Sequence, residues 1–282
     1  MSQQLNKIKS RIKTVNGAYK VTSAMKLVSQ VKLKRYKNKM LANKEYNYTL
    51  DEVTQTVLKN AKKVRSPFAL ANEGVEKKLY IVISSTLGLC GSYNMNIFKE
   101  AESLISEKDD AIILGNKGAI YFKDGSFNKI DDFSEYSSIS DEKIIREIVS
   151  YISKKYLAKE YQEVHIIYTE YKNSLTFIAK DKMVLPLGQI ETNEYENEYP
   201  PLLEPSQSKL VETLIPLYIR GTIYAKLLES EVCEQAARAN AMDNATNNAK
   251  DILDNLKVEF NKARQGAITQ EITEIVSAAN AI

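Results

Sequence analysis

The chain has 282 residues, 44% hydrophobic and 27% charged, with a formal net charge of +3, which excludes wholesale disorder, collagen and a dense disulfide scaffold. Its ten glycines and six prolines are about half the share of average usage, and every proline lies between Pro67 and Pro216, so the first 66 and last 66 residues contain none. Residues 1–44 carry twelve Lys and Arg and no acid, a +12 stretch against −9 for the remainder; such a stretch calls for an acidic partner surface, a nucleic acid, an anionic membrane, or an acidic part of the same assembly.

The first arm reads as one helix over residues 1–60. Leu5, Ile8, Ile12, Val15, Tyr19 and Thr22 follow three-four spacing. The stripe then shifts phase to Met25, Val28 and Val31, and Tyr36, Met40, Leu50 and Val53 extend it. At 1.5 Å per residue this helix would be roughly 90 Å long, too long for a compact domain of this size to enclose.

The centre, residues 77–205, alternates apolar runs with amphipathic segments. Leu79 to Ser84, Ala111 to Gly115, Val164 to Tyr171 and Thr176 to Leu187 read as strands, the first two apolar enough for a sheet covered on both faces. Asn94 to Ile105 and Ser140 to Leu157 have helical spacing, the second with Ser140 as N-cap. Strands alternating with helices predict an α/β domain with a largely parallel, doubly wound, Rossmann-like sheet. Glu191 to Pro205, with Glu191, Glu194, Glu196 and Glu198 followed by three prolines, reads as a solvated linker.

The second arm, residues 206–282, begins around Ser208. Leu210, Leu214, Leu217, Tyr224, Leu228, Val232, Ala236, Ala239, Met242 and Thr246 recur at helical spacing, and Ala249, Leu253, Leu256, Phe260, Ala263 and Ala267 continue it. Pro216 should kink this helix or mark its start. Two overlong arms joined by a sheet domain suggest a long antiparallel coiled coil. From Ala263 onward only Arg264, Glu271 and Glu274 are charged, so the end of the second arm should be buried in a partner.

Candidate chemistry is sparse. The turn containing Gly88, Leu89, Cys90 and Gly91 joins a strand to a helix, where backbone N–H groups can hold phosphate; neither the dinucleotide nor the P-loop fingerprint occurs, and a packing turn is the better reading. Gly115-Asn116-Lys117-Gly118 reads the same way. Cys90 at a helix start is a weak nucleophile candidate, the single histidine, His165, sits in an apolar strand as a packed residue, and no zinc set is present. Cys90 and Cys233 lack redox spacing and fit a reducing compartment. No apolar run is long enough for a membrane span and no secretory signal opens the chain, so a cytosolic or peripheral protein is expected. Nucleic-acid binding by the basic arm has only Tyr19 and Tyr36 to offer for stacking within residues 1–44.

Several segments resemble the gamma subunit of F-type ATP synthases: Thr22-Ser23-Ala24-Met25-Lys26-Leu27-Val28, Gly88-Leu89-Cys90-Gly91, Ala236 to Thr246, and Asn261 to Ile275. The resemblance runs end to end. It implies a non-catalytic central rotor, with the terminal helices coiled inside a ring of alternating alpha and beta subunits and a Rossmann-like base beside the epsilon subunit and the membrane ring of c subunits. It also implies a peripheral position on the cytoplasmic face of the cell membrane. ATP or ADP and Mg would reside on the alpha and beta partners, with no cofactor or metal on this chain and no nucleic acid. By the same resemblance, Met25 and Lys26 face an acidic beta-subunit loop, and Arg264, Gln265, Thr269, Gln270 and Glu271 contact the inner rim of the ring. One departure stands out: where the family has a charged pair before Gly-Leu-Cys-Gly, this chain has Thr86 and Leu87, which alters the contact available to a base partner. The alternatives are the rotor of a paralogous, hydrolysis-driven motor and, in another class, a basic coiled-coil scaffold that binds nucleic acid.

Overall fold

A computed structural model describes residues 2–60, 67, 68, 70–130, 133, 142–187, 202–204 and 206–279. In chain order the elements are α1 (Ser2–Asn60), β1 (Lys78–Ile83), α2 (Tyr93–Leu104), β2 (Asp110–Leu114), α3 (Asn116–Tyr121), β3 (Asn128–Ile130), α4 (Glu142–Leu157), β4 (Glu163–Tyr171), β5 (Phe177–Leu185) and α5 (Gln207–Ala279). They form two compact units whose boundaries cut across both long helices: Met1–Val31 with Arg238–Ile282, and Lys32–Ala237.

The larger unit is built on one five-stranded sheet of order β3-β2-β1-β4-β5. β1 pairs in parallel with β2 and β4, β2 pairs in parallel with β3, and β5 closes the edge antiparallel to β4. Five consecutive buried residues in β1 and all five of β2 follow from cover on both faces, where alternation with polar residues is impossible. On one face Ile97, Phe98 and Ala101 of α2 pack with Tyr80, Val82, Ile113 and Ile167. On the other, Ile148 and Ile152 of α4 and Ile219, Ile223 and Leu227 of α5 pack with Leu79, Ile81 and Ile166. In α4 the apolar residues fall on one stripe, with Glu142 in the first turn and Lys154 and Lys155 in the last, the charge placement a helix dipole favours.

The strands β1, β2, β4 and β5 and the helices α2 and α4 lie within two residues of their sequence expectation. The segments α3 and β3 were not expected: six residues of helix and three of strand are too short to show a period. Ser140, expected as an N-cap, and the acidic residues Glu191, Glu194, Glu196 and Glu198 lie outside the described residues. Pro216 lies inside α5 rather than at its start.

In the smaller unit the first and last helices pair antiparallel. Thr246 of α5 donates to Thr22 of α1 at 2.9 Å, and Lys26 bonds Asp243 at 2.6 Å. On α5, Ala239, Met242, Thr246, Ala249, Leu253, Leu256 and Ala267 are buried, as the spacing predicts. On α1 the expected stripe fails at three valines: Val28, Val31 and, in the larger unit, Val53 are exposed, while Ser29 and Thr54 are buried. The stripe keeps its three-four spacing through Thr22, Met25 and Ser29, so small polar side chains hold the seam while the valines turn outward; helical phase outranks hydrophobicity here.

Candidate functional site

In a doubly wound sheet, ligands bind beyond the carboxyl ends of the strands where the order reverses, which here is the crevice between β1 and β4. That crevice is filled by the chain itself. Cys90 from the β1–α2 turn and Tyr93 at the start of α2 pack with Cys233 and Ala237 of α5, with Tyr171 and Phe177 against them. Burial, with Glu234 nearby, pushes the Tyr93 hydroxyl well up, so it stays protonated.

The donors that could cradle a phosphate are also engaged. Asn94 accepts from the Ser85 N–H at 3.0 Å and donates to Ser85 Oγ at 2.7 Å. The Gly118 N–H bonds Ser84 Oγ at 2.9 Å and the Lys117 N–H bonds the Ser85 carbonyl at 3.0 Å. Ser84 Oγ in turn donates to the Leu114 carbonyl at 2.8 Å. These bonds fix the two turns after β1 and β2 to each other, as expected of packing turns rather than an anion nest. Gly88 and Gly91 flank Leu89, which has φ of 62° and is exposed, while Cys90 is buried and receives the Asn94 amide on its sulfur at 3.3 Å. Leu87, in the position of the family's charged pair, is 66% exposed.

His165 is buried on the α2 side of the sheet, stacked on Tyr80 with centroids 5.1 Å apart. Its Nδ1 lies 2.7 Å from Asp181 and its Nε2 3.0 Å from Glu163, which also pairs with Lys78 at 2.6 Å. The residue read as packed in the sequence is therefore both packed and hydrogen-bonded, sandwiched between two carboxylates. Among the described residues no group of three or more His, Cys, Asp or Glu is placed to hold a metal ion, and no helix is long and apolar enough to cross a membrane.

A family model described as ATP synthase matches residues 4–282. The ATP synthase gamma chain of Clostridium novyi is 35% identical over 277 residues, covering 97% of this chain and 96% of the relative. That of Mycoplasma mobile is 37% identical over 283 residues, covering 97% of each. The chain belongs to the ATP synthase gamma chain family. Solved structures share the fold: a chain of the Euglena gracilis mitochondrial ATP synthase F1 and c-ring assembly superposes with a TM-score of 0.69 at 18% identity, covering 100% of this gamma chain and 95% of that one. A chain of the Tetrahymena thermophila central stalk and c-ring gives 0.59 at 23% identity, covering 80% and 99%.

The residues that the family resemblance singles out in this gamma chain fall in two groups. Met25 and Lys26 lie half-buried in the helix pair, with Lys26 bonded to Asp243. Arg264, Gln265, Thr269, Gln270 and Glu271 are all exposed on α5; Thr269 donates to the Gln265 carbonyl at 3.0 Å and Gln270 to Glu274 at 2.8 Å. Around them Ile268, Ile272, Ile275 and Val276 are exposed, a stripe at i, i+4, i+7 and i+8 on one helix face. Glu229 and Ser230 of α5 are not candidates in the sequence, and Cys233 enters it only through its lack of redox spacing. Their partners are backbone groups of Thr169 and Tyr171, which leave no trace in residue identity.

Proposed function

We propose that this gamma chain is the central-stalk rotor of an F-type ATP synthase. It turns inside a ring of alternating alpha and beta subunits and couples ATP synthesis or hydrolysis to rotation of a membrane ring of c subunits. It contributes no catalytic site; ATP, ADP and Mg belong to the alpha and beta partners, and the filled crevice between β1 and β4 supports that division. The observation that carries the reading is the exposed stripe of Ile268, Ile272, Ile275 and Val276. Nothing in the chain's described residues covers it, and a large aliphatic stripe in water calls for an apolar sleeve. The polar Arg264, Gln265, Thr269, Gln270 and Glu271 beside it supply contacts to the rim of such a sleeve. The acid-free first 44 residues supply a field for an acidic beta-subunit loop near Met25 and Lys26. The epsilon subunit and the c ring complete the base, holding the chain peripherally on the cytoplasmic face of the membrane.

Reconstitution with alpha and beta subunits tests this. ATP should drive unidirectional rotation of a rod fixed to the base of this chain; a stable assembly with ATP hydrolysis but no rotation sinks the proposal. A second reading, a hydrolysis-driven paralogous motor, is favoured by exposed Leu87 in place of a charged residue. Purification of the native complex decides between them, since recovery with alpha and beta but without a c ring supports the paralogue.

A further inference from the structure

β4 outruns its neighbour. Its ladder with β1 ends at Val82 opposite Ile167, whereas its ladder with β5 continues to Tyr171 opposite Phe177. Thr169 and Tyr171, two residues apart and so turned the same way, have backbone groups facing a strand position that β1 does not fill. Side chains of α5 fill it. Ser230 Oγ accepts the Thr169 N–H at 3.2 Å, Glu229 Oε1 accepts the Tyr171 N–H at 3.0 Å, and the Cys233 thiol donates to the Thr169 carbonyl at 3.5 Å. Burial pushes the Cys233 thiol well up, so it keeps the proton it donates.

The arrangement is braced from the helix side. The second oxygen of Glu229 accepts Lys226 Nζ at 2.9 Å, and that ammonium lies 4.1 Å from the centroid of the Tyr168 ring on the same stretch of β4. Both Lys226 and Glu229 are largely buried, and a carboxylate accepting an N–H there makes one of the stronger hydrogen bonds available to a backbone. Apolar packing of α5 on the sheet is non-directional and resists sliding only through shape. Hydrogen bonds to β4 are directional and fix register.

We propose that Glu229, Ser230 and Cys233 form a latch through which a twisting moment carried along α5 enters the sheet, with β4 as the receiving strand. The latch rests on the rotor reading above and names the residues that make α5 and the sheet turn as one body.

The test uses the assembled ATP synthase with a gold rod on a cysteine placed at exposed Lys108 (Lys108→Cys); the two native cysteines are buried and do not compete for the label. Glu229→Ala with Ser230→Ala should roughly double the angular variance of the rod while the motor waits for ATP, because the directional bonds are gone and the local opening they suppressed is allowed. Glu229→Gln alone keeps an acceptor and should stay near the unaltered width. Leu227→Ala, which cuts buried packing of the same helix and leaves the latch intact, should lower the unfolding midpoint with little change in variance. If the double variant does not fold, Ser230→Ala alone should widen the variance by a smaller amount. Unaltered width in the folded latch variants, or equal widening in Leu227→Ala, overturns the latch. Absence of rotation with the unaltered chain overturns the rotor reading instead.

Discussion

Lys26 of α1 and Asp243 of α5 lie 2.6 Å apart, Nζ to Oδ1, with side chains 32% and 45% exposed. The ammonium that family resemblance assigns to a partner's carboxylates is thus held by a carboxylate of its own chain, with one flank open to water. Both groups are wet enough for the pair itself to contribute little. Asp243→Asn should therefore cost the isolated chain only about 0.5 kcal/mol. It should also free Lys26, so binding to an alpha and beta ring tightens at low salt and the gain fades as ionic strength rises. Thermal unfolding and a salt series of binding isotherms read the two effects separately.

Gly115 should be among the least tolerant positions. Its φ is 95°, and a Cβ there would lie inside the radius of the Ser84 carbonyl oxygen, the residue whose hydroxyl ties the turn after β2 to the turn after β1. Both the backbone conformation and the space forbid a side chain. Gly115→Ala should cost about 2–4 kcal/mol, measurable by urea denaturation. Gly118→Ala meets Ser84 Oγ at 2.6 Å and Ile113 Cγ2 at 2.8 Å and should also destabilise, though with an ordinary helical backbone to absorb part of the strain.

How much of this was legible beforehand depends on the kind of interaction. The paired helices and the covered sheet could be read because apolar spacing repeats over many residues, as from Ala239 to Ala267. The outward turn of Val28 and Val31 could not: in the sequence a valine votes for burial, and only the phase carried through Met25 and Ser29 corrects it. The contact residues of the candidate rim were named from resemblance alone, since exposed Arg264 or Gln265 carries no local pattern. Glu229 and Ser230 escaped notice because their partners are backbone groups of Thr169 and Tyr171, about sixty residues away in sequence, and backbone donors leave no trace in residue identity.

The ladder through His165 gives the sheet a pH dependence on its basic side. The imidazole faces Glu163 on its own strand, Asp181 on β5, and Lys78 and Tyr80 on β1; from α2 it is the apolar Ile97, Phe98 and Ala101 that are buried toward the sheet, with the charged Lys99, Glu100 and Glu102 exposed or half-buried. Burial opposes its charge, but its hydrogen bonds to Asp181 and Glu163 outweigh it and the pKa is raised. Only the protonated ring can donate to both carboxylates. Since the folded state holds this proton more tightly than the unfolded state, the stabilisation is complete below the ordinary histidine value near 6.5 and is lost as pH climbs through the raised one. The urea midpoint should fall as pH rises above the ordinary histidine value near 6.5. His165→Gln, which keeps a donor but does not titrate, should remove this part of the slope; a variant with the same slope would remove His165 as its source.

Arg264 and Gln265 separate stability from coupling. Both side chains are exposed, so Arg264→Ala and Gln265→Ala should each leave the unfolding free energy of the chain within about 0.5 kcal/mol. If these side chains grip the rim of the alpha and beta ring, the assembled complex should lose torque and ATP synthesis while the isolated chain is unaffected. Gly266, between them and the apolar stripe, sharpens the test. A Cβ at this position meets nothing within 4 Å, so Gly266→Ala should stabilise α5 by about 0.5–1 kcal/mol through helix propensity. The same methyl group would occupy space that a close-fitting sleeve needs. Higher helix stability with lower rotation rate is the expected pair of results, and equal rotation by all three variants would show that this stretch of α5 turns without touching the ring.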